Sequence, residues 1–173
     1  MSSQDDLDWT GVSEDTARQV LALGEAYLSA QLQAGLAADQ RAVTVASILS
    51  AASLAFLGAG IAHYQAAKSA PLLSAAVATA AVLMLAAACG AWAARPIAFW
   101  FPGNTPSNWY DVLRGDIVQN IGGEAENYAD RIAMNNQILS ENQAALMFGM
   151  VVAILSPAIG AAAWYFASIQ PHA

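Results

Sequence analysis

Side chains that carry acid–base, nucleophilic or metal chemistry are scarce in this sequence. The histidines are His63 and His172, and the single cysteine is Cys89. No acidic residue lies near any of the three in sequence, so a Cys–His nucleophile pair and the ligand spacing of a zinc site are both missing. His63 lies at the far end of an apolar stretch, a position typical of an interfacial residue.

Three carboxylates lie near one another at Glu124, Glu126 and Asp130. On a helix, Glu126 and Asp130 share a face because they are four residues apart. A solvated helix surface explains this spacing as well as a catalytic pair does, so no acid–base mechanism follows. The sequence therefore predicts a protein that is not an enzyme and that needs no cofactor for catalysis.

Residues 102–108, PGNTPSN, contain glycine and asparagine but lack the lysine and the glycine spacing of a phosphate loop. They predict a turn that prolines stiffen on either side. The aromatic residues flanking the turn are typical of a membrane interface. A ligand pocket is the alternative, because the same aromatics lie between Arg95 and Arg114.

The composition indicates which kind of helix carries these residues. Hydrophobic residues make up 57% of the chain and charged residues 11%, against about 25% charged residues in ordinary soluble domains. Residues 42–64, 71–94 and 143–173 contain no Asp, Glu, Lys or Arg, and each stretch reaches the roughly 20 residues that a spanning helix needs. A soluble alanine-rich bundle would keep a charged face on its helices. We therefore predict an all-α integral membrane protein with three transmembrane helices.

Two polar stretches predict cytoplasmic helices that are continuous with or adjacent to spans one and three. Ser13 is placed to cap the first helix, whose apolar face is formed by Val20, Leu21, Leu23, Tyr27, Leu28, Leu32 and Leu36. The second has a heptad seam of Ile121, Ala125, Tyr128, Ile132, Asn135, Leu139, Asn142 and Leu146. Asn135 and Asn142 either fix the register of a coiled coil or face solvent and lipid headgroups.

These patterns divide the chain into nine predicted segments. They are a disordered acidic tail (1–12), an amphipathic helix (13–41), the first span (42–64), a hairpin (65–71), the second span (72–94), an interfacial turn and loop (95–119), a heptad helix (120–143), the third span (144–167) and a tail (168–173).

The basic residues predict the orientation of the spans. Only Lys68 lies in the hairpin, whereas arginines precede the first span and separate the second from the third. The positive-inside rule then places the N-terminus and the 95–143 region in the cytoplasm, and the hairpin and C-terminus outside. Four aromatic residues are predicted as membrane-interface anchors: Tyr64, Trp100, Trp109 and Trp164. The formal net charge of −7 argues against nucleic acid as a partner and leaves membrane lipid.

Small residues recur along each span, and in the first they are Ser47, Ala51, Ala55 and Ala59. Such stripes let helices approach closely in lipid, so self-association or membership of a complex is expected. No span carries an ionisable residue in its middle, which disfavours a proton relay or an ion-coupled transporter.

The entry to the first span, AADQRA at residues 37–42, and the later helix YADRIAMNNQILSENQAAL resemble a known architecture. The chain resembles the transmembrane effectors of Pycsar antiphage systems and the related SLATT-type membrane modules. Asp39 and Arg41 match the "ADxKA-like" entry of those effectors, with arginine in place of the usual lysine.

This resemblance implies an effector in the bacterial inner membrane that assembles and impairs the membrane when a pyrimidine nucleotide cyclase makes cyclic CMP or cyclic UMP. If such a nucleotide binds, its phosphate would favour arginine, and the candidates are Arg41, Arg95, Arg114 and Arg131. Anchoring by the positive-inside rule is the alternative role of each arginine. The alternative function is a non-catalytic accessory subunit of a larger membrane complex.

Overall fold

The computed structural model describes residues 7–105 and 115–169. Within them the chain forms three α-helices and no strand: α1 (Glu14–Ala67), α2 (Ala70–Ala93) and α3 (Ile117–Ile169). All three are long and apolar enough to cross a membrane. The prediction of an all-helical chain with three apolar spans is confirmed at this level.

The polar stretches 13–41 and 120–143 belong to the same helices as the apolar sequence that follows them, because α1 and α3 run unbroken from polar into apolar sequence. Of the two arrangements predicted for these stretches, continuous with or adjacent to the apolar segments, the helix boundaries show the continuous one. At 1.5 Å per residue each of the two helices is about 80 Å long. The hairpin shrinks to Lys68 and Ser69, with Lys68 in the left-handed region at φ 55°. Pro157 lies inside α3 without ending it.

Local chemistry fixes where α1 and α3 begin. The Ser13 hydroxyl accepts a hydrogen bond from the Thr16 amide at 3.2 Å, as the sequence predicted for the first helix. Glu14 and Asp15 lie in the first turn, where their charges suit the positive end of the helix. At the start of α3, the Asp116 carboxylate accepts a hydrogen bond from the Val118 amide at 2.8 Å.

The chain divides into two compact units, and α1 and α3 contribute residues to both. The polar unit comprises the residues up to Leu36 together with Ile97–Leu139, and the apolar bundle comprises Ala37–Pro96 and the residues from Ser140 onward.

In the polar unit α1 and α3 pair in parallel with a constant register. The Gln31–Asn135 hydrogen bond joins residues that are 104 positions apart in sequence. Three further pairs of facing residues have the same separation: Ala17–Ile121, Gly24–Tyr128 and Gly35–Leu139. All eight residues of the predicted α3 seam are buried or half-buried. The seam therefore pairs two helices of one chain.

The apolar face predicted for α1 is right only in part. Leu28 is fully buried and Leu21 and Leu32 are half-buried, but Leu23 and Tyr27 remain 71% and 53% exposed. The reason is that α1 also offers small residues to this pair, where the larger side chains of α3 fill the space. Periodicity of bulky residues in α1 therefore misses the small residues of the inner face.

In the apolar bundle α2 contacts both long helices, and it is antiparallel to each. The Ser53 hydroxyl of α1 donates a hydrogen bond to the Ala80 carbonyl of α2 at 2.8 Å. Gly149 of α3 meets the Ala86 carbonyl so closely that an added Cβ would lie 2.9 Å from that oxygen. Such close approach of backbones is how helices associate when lipid supplies no hydrophobic driving force.

The small-residue stripe predicted in the first span does not face the other helices. Its four members, Ser47, Ala51, Ala55 and Ala59, are all exposed, whereas Ala42, Ser53 and Gly60 are buried. Only 11%, 28% and 17% of the apolar windows in α1, α2 and α3 is buried within the chain. Most of the apolar surface therefore remains open to lipid or to another protein.

Candidate functional site

The polar unit holds the aromatic turn, residues 97–105, against α3 through one buried amide. Asn135 is completely buried. Its Oδ1 accepts a hydrogen bond from the Trp100 amide at 3.0 Å, and its Nδ2 donates to the Trp100 carbonyl at 2.8 Å. Asn135 thus pairs with both main-chain groups of one residue, as a neighbouring strand would. This fixes the turn at Trp100.

The Asn135 side chain also bonds to α1, the other helix of the pair. Asn135 Nδ2 also donates to Gln31 Oε1 at 3.3 Å. Gln31 in turn donates to Asn136 Oδ1 at 2.8 Å and to the Ile132 carbonyl at 3.1 Å. Of the two roles predicted for Asn135, the buried one holds, and in a helix pair a buried amide fixes register at some loss of stability. Asn142 is half-buried, and its Oδ1 lies 3.4 Å from Arg95 Nη1.

A second attachment holds the turn at Gly103, whose φ of 93° suits glycine. The Gly103 amide donates to the Tyr128 hydroxyl at 2.9 Å. The Gly103 carbonyl accepts from Arg131 Nη1 at 2.8 Å, and the Phe101 carbonyl lies 3.5 Å from the same nitrogen. Arg131 also lies over the Tyr128 ring, 5.3 Å from its centroid. The turn is therefore held at both ends by side chains of α3.

Tyr128 is 2% exposed, and burial raises the pKa of its phenol above the ordinary value of about 10. The Gly103 hydrogen bond lowers the pKa, and the nearby Glu25 and Glu124 carboxylates raise it. The net direction keeps the phenol protonated at neutral pH, so that it accepts from Gly103 and donates to Glu25 Oε1 at 3.4 Å.

Glu124 is a buried carboxylate, 6% exposed, beneath the Gly103 end of the turn. Its Oε2 accepts hydrogen bonds from the Asn104 and Asn127 amides, each at 3.3 Å. Its Oε1 is buried without a hydrogen-bond partner, although Arg131 Nη1 lies 3.8 Å away. This ion pair is consequently too long to satisfy the oxygen.

An open cleft of about 680 Å³ runs along the turn, lined by residues 98–105 and by Arg131. The Trp100 and Phe101 side chains in this lining are 48% and 65% exposed. Aromatic surface with one cationic group is the kind of lining that binds a flat, partly polar molecule. Among the residues that the structure describes, this cleft is therefore a candidate ligand site.

The four predicted arginine candidates fall in different surroundings. Arg131 belongs to the polar unit and lines the cleft, whereas Arg41 and Arg95 belong to the apolar bundle. Arg41 is exposed and donates from Nε to the Ala37 carbonyl at 3.1 Å. Arg95 lies over the Trp92 ring, 4.5 Å from its centroid, and donates to the Trp92 carbonyl at 3.0 Å. Arg114 lies outside the described residues.

The predicted interface anchors are exposed where the structure describes them. Tyr64, Trp100 and Trp164 are 38%, 48% and 49% exposed, and Trp109 lies outside the described residues. Lys68 Nζ lies over the Tyr64 ring, 5.6 Å from the centroid of that ring. Their role as membrane anchors remains a prediction.

Trp9 is a packing residue that the sequence did not reveal, because it lies in a segment expected to be a mobile tail. The indole is 8% exposed and packs against Gly122, where a Cβ would collide with the ring. Its Nε1 donates to Glu126 Oε1 at 2.8 Å. Glu126 is therefore not simply part of a solvated surface, and an aromatic residue within a charged tail was the one available signal of docking.

Among the described residues no group of three or more His, Cys, Asp or Glu side chains is arranged to hold a metal ion. Comparisons of the chain with protein-family models, with curated proteins and with solved structures return no match. The geometry of the polar unit and the three apolar spans are therefore the grounds for a functional proposal.

Proposed function

We propose that this protein is a signal-gated membrane effector of an antiphage defence system. In this proposal it oligomerises and impairs the bacterial inner membrane when a partner cyclase produces cyclic CMP or cyclic UMP. The N-terminus and the polar unit lie in the cytoplasm, and the hairpin and C-terminus lie outside, as the distribution of lysine and arginine favours.

The observation that supports this proposal is that α1 and α3 each contribute one part to the polar unit and one part to the apolar bundle. The first part of each helix builds a polar unit with an aromatic cleft and Arg131. The second part of each is an apolar segment long enough to span a membrane. A ligand that changed the pairing of the first parts would act on helices that continue without a break into the spans.

The cleft is the proposed binding site, because a pyrimidine ring suits the exposed Trp100 and Phe101 rings. Arg131 is the arginine that the structure places beside those rings. Arg41, Arg95 and Arg114 keep the role of flanking the spans on the cytoplasmic side.

Membrane potential in cells tests this function. Cells expressing the protein are given a cyclase that makes cyclic CMP or cyclic UMP, and a potential-sensitive dye is read. We expect depolarisation only when protein and nucleotide are both present. Trp100→Leu should abolish this response, whereas Trp164→Leu, which lies in the other unit, should reduce it modestly. If neither nucleotide changes the membrane potential, the proposal is wrong.

An accessory subunit of a larger membrane complex is the second candidate, favoured by the small buried share of the three spans. Purification in a mild detergent separates the two functions. Foreign subunits in fixed stoichiometry favour the accessory role, and a homo-oligomer favours the effector.

A further inference from the structure

The Arg131 guanidinium lies between two groups that compete for it. Nη1 is 2.8 Å from the Gly103 carbonyl and 3.8 Å from Glu124 Oε1. A hydrogen bond between a guanidinium and a carboxylate has a length of about 2.8 Å, so Arg131 has made its bond to the turn and not to Glu124.

Glu124, the carboxylate to which Arg131 is not hydrogen-bonded, is buried. Glu124 is 6% exposed, and its Oε1 has no hydrogen-bond partner. An unsatisfied buried acceptor of this kind is costly, and more so when it is charged. Moving Nη1 by about 1 Å towards Glu124 would satisfy the oxygen with a charge-assisted bond, but it would lengthen the bond to Gly103.

We propose that Glu124 and Arg131 form a two-state clamp on the aromatic turn. In the docked state Arg131 binds the Gly103 carbonyl, and Glu124 Oε1 stays unpaired. In the released state Arg131 bonds to Glu124, and the Gly103 end of the turn leaves α3, giving up the Gly103–Tyr128 and Asn104–Glu124 hydrogen bonds as well. Trp100 is the hinge, because Asn135, which takes no part in this exchange, holds both of its main-chain groups.

The clamp controls the width of the cleft, since residues 98–105 and Arg131 are its walls. It does not depend on the proposed antiphage function, because a clamp of this kind would operate whatever molecule the cleft binds. Its test accordingly uses the purified protein and makes no reference to membrane potential or to nucleotides.

Amide hydrogen exchange of the full chain in a mild detergent tests the clamp. In Glu124→Gln the side-chain amide cannot attract the guanidinium as a carboxylate does, so exchange of the backbone amides of residues 101 and 103–105 should slow by about threefold or more. Arg131→Gln removes the clamp and should speed exchange by a similar factor. Asp130→Asn is the matched control, because Asp130 is an exposed carboxylate next to Arg131, and it should leave exchange unchanged.

Exchange of the Trp100 amide reports whether each variant has kept its fold, since that amide bonds to Asn135. Glu124→Gln keeps an oxygen that can accept from Asn104, so it leaves the other contact of this side chain with the turn in place. If Glu124→Gln disturbs the Trp100 amide, Arg131→Gln carries the test, and unchanged exchange of residues 101 and 103–105 in that variant overturns the clamp. Unchanged or faster exchange of the same amides in a correctly folded Glu124→Gln variant would also overturn it. It would show that Glu124 does not oppose the docking of the turn.

Discussion

The two units of this chain solve the same problem, the pairing of long helices, by different physical means. In the polar unit, large side chains of α3 meet small residues of α1, and a buried amide layer of Gln31 and Asn135 connects the helices. In the apolar bundle, glycines bring backbones into contact, and Ser53 supplies a hydrogen bond between α1 and α2.

The difference matches what water and lipid, the environments proposed for the two units, would each supply. In water, burial of apolar side chains drives helices together but accepts many registers, so a polar pair that is satisfied in a single register adds specificity. In lipid the surrounding chains are as apolar as leucine, and close packing between small residues takes over. Mutations should therefore act through different mechanisms in the two units.

The largest effect is expected from crowding the bundle. A Cβ on Gly149 would lie 2.9 Å from the Ala86 carbonyl oxygen and 2.9 Å from the Cys89 Cβ. Gly149→Leu must push α2 and α3 apart, at a loss of about 3 kcal/mol in the free energy of unfolding. Thermal unfolding in a mild detergent measures the loss. Gly58→Leu is the control, because a Cβ there has no atom within 4 Å. Equal midpoints for the two variants would contradict glycine-mediated packing.

The sequence predicted the three apolar helices and the α3 seam better than the buried face of α1. The three apolar helices were predictable because charge-free stretches of more than 20 residues have few other structures available. The α3 seam was predictable because its large residues, such as Tyr128 and Leu139, recur with heptad spacing. The α1 face was not, since its partner lies 104 residues away and only that partner explains why Gly24 and Gly35 are on the inner side.

The site followed the same rule. The turn predicted at residues 102–108 was visible in its glycine and prolines, but the partners that its described part, residues 102–105, finds on α3 were not. Arg131 was proposed as a phosphate ligand or an anchor, and the structure shows it bound to two carbonyls of the turn. Contacts between elements distant in sequence, such as Glu124 with Asn104, require the fold before they can be inferred.

An intermediate effect is expected from the amide layer of the polar unit. Asn135→Ala removes the bonds to both main-chain groups of Trp100 and to Gln31. The partners stay buried without replacements, so the free energy of unfolding should fall by about 2 to 3 kcal/mol. Urea denaturation monitored by circular dichroism gives this difference. Gln33→Ala, which removes an exposed amide of α1 two residues from Gln31, should change it by no more than about 0.5 kcal/mol. A similar small change for Asn135→Ala would mean that the layer contributes no stability.

The smallest effect concerns the docking of Trp9, and two adjacent glycines allow a matched test. A Cβ at Gly122 would collide with the Trp9 ring, whereas one at Gly123 has open space within 4 Å. Alanine is the better helix former by about 0.5 to 1 kcal/mol, so Gly123→Ala should stabilise the chain by that amount. Gly122→Ala has the same gain in helix propensity but displaces the indole and its bond to Glu126, giving a net loss of about 1 kcal/mol. Faster hydrogen exchange of residues 7–12 should accompany that loss in Gly122→Ala alone. If both variants were stabilised equally and residues 7–12 exchanged as before, the polar unit would not depend on Trp9, and its specificity would lie in the amide layer.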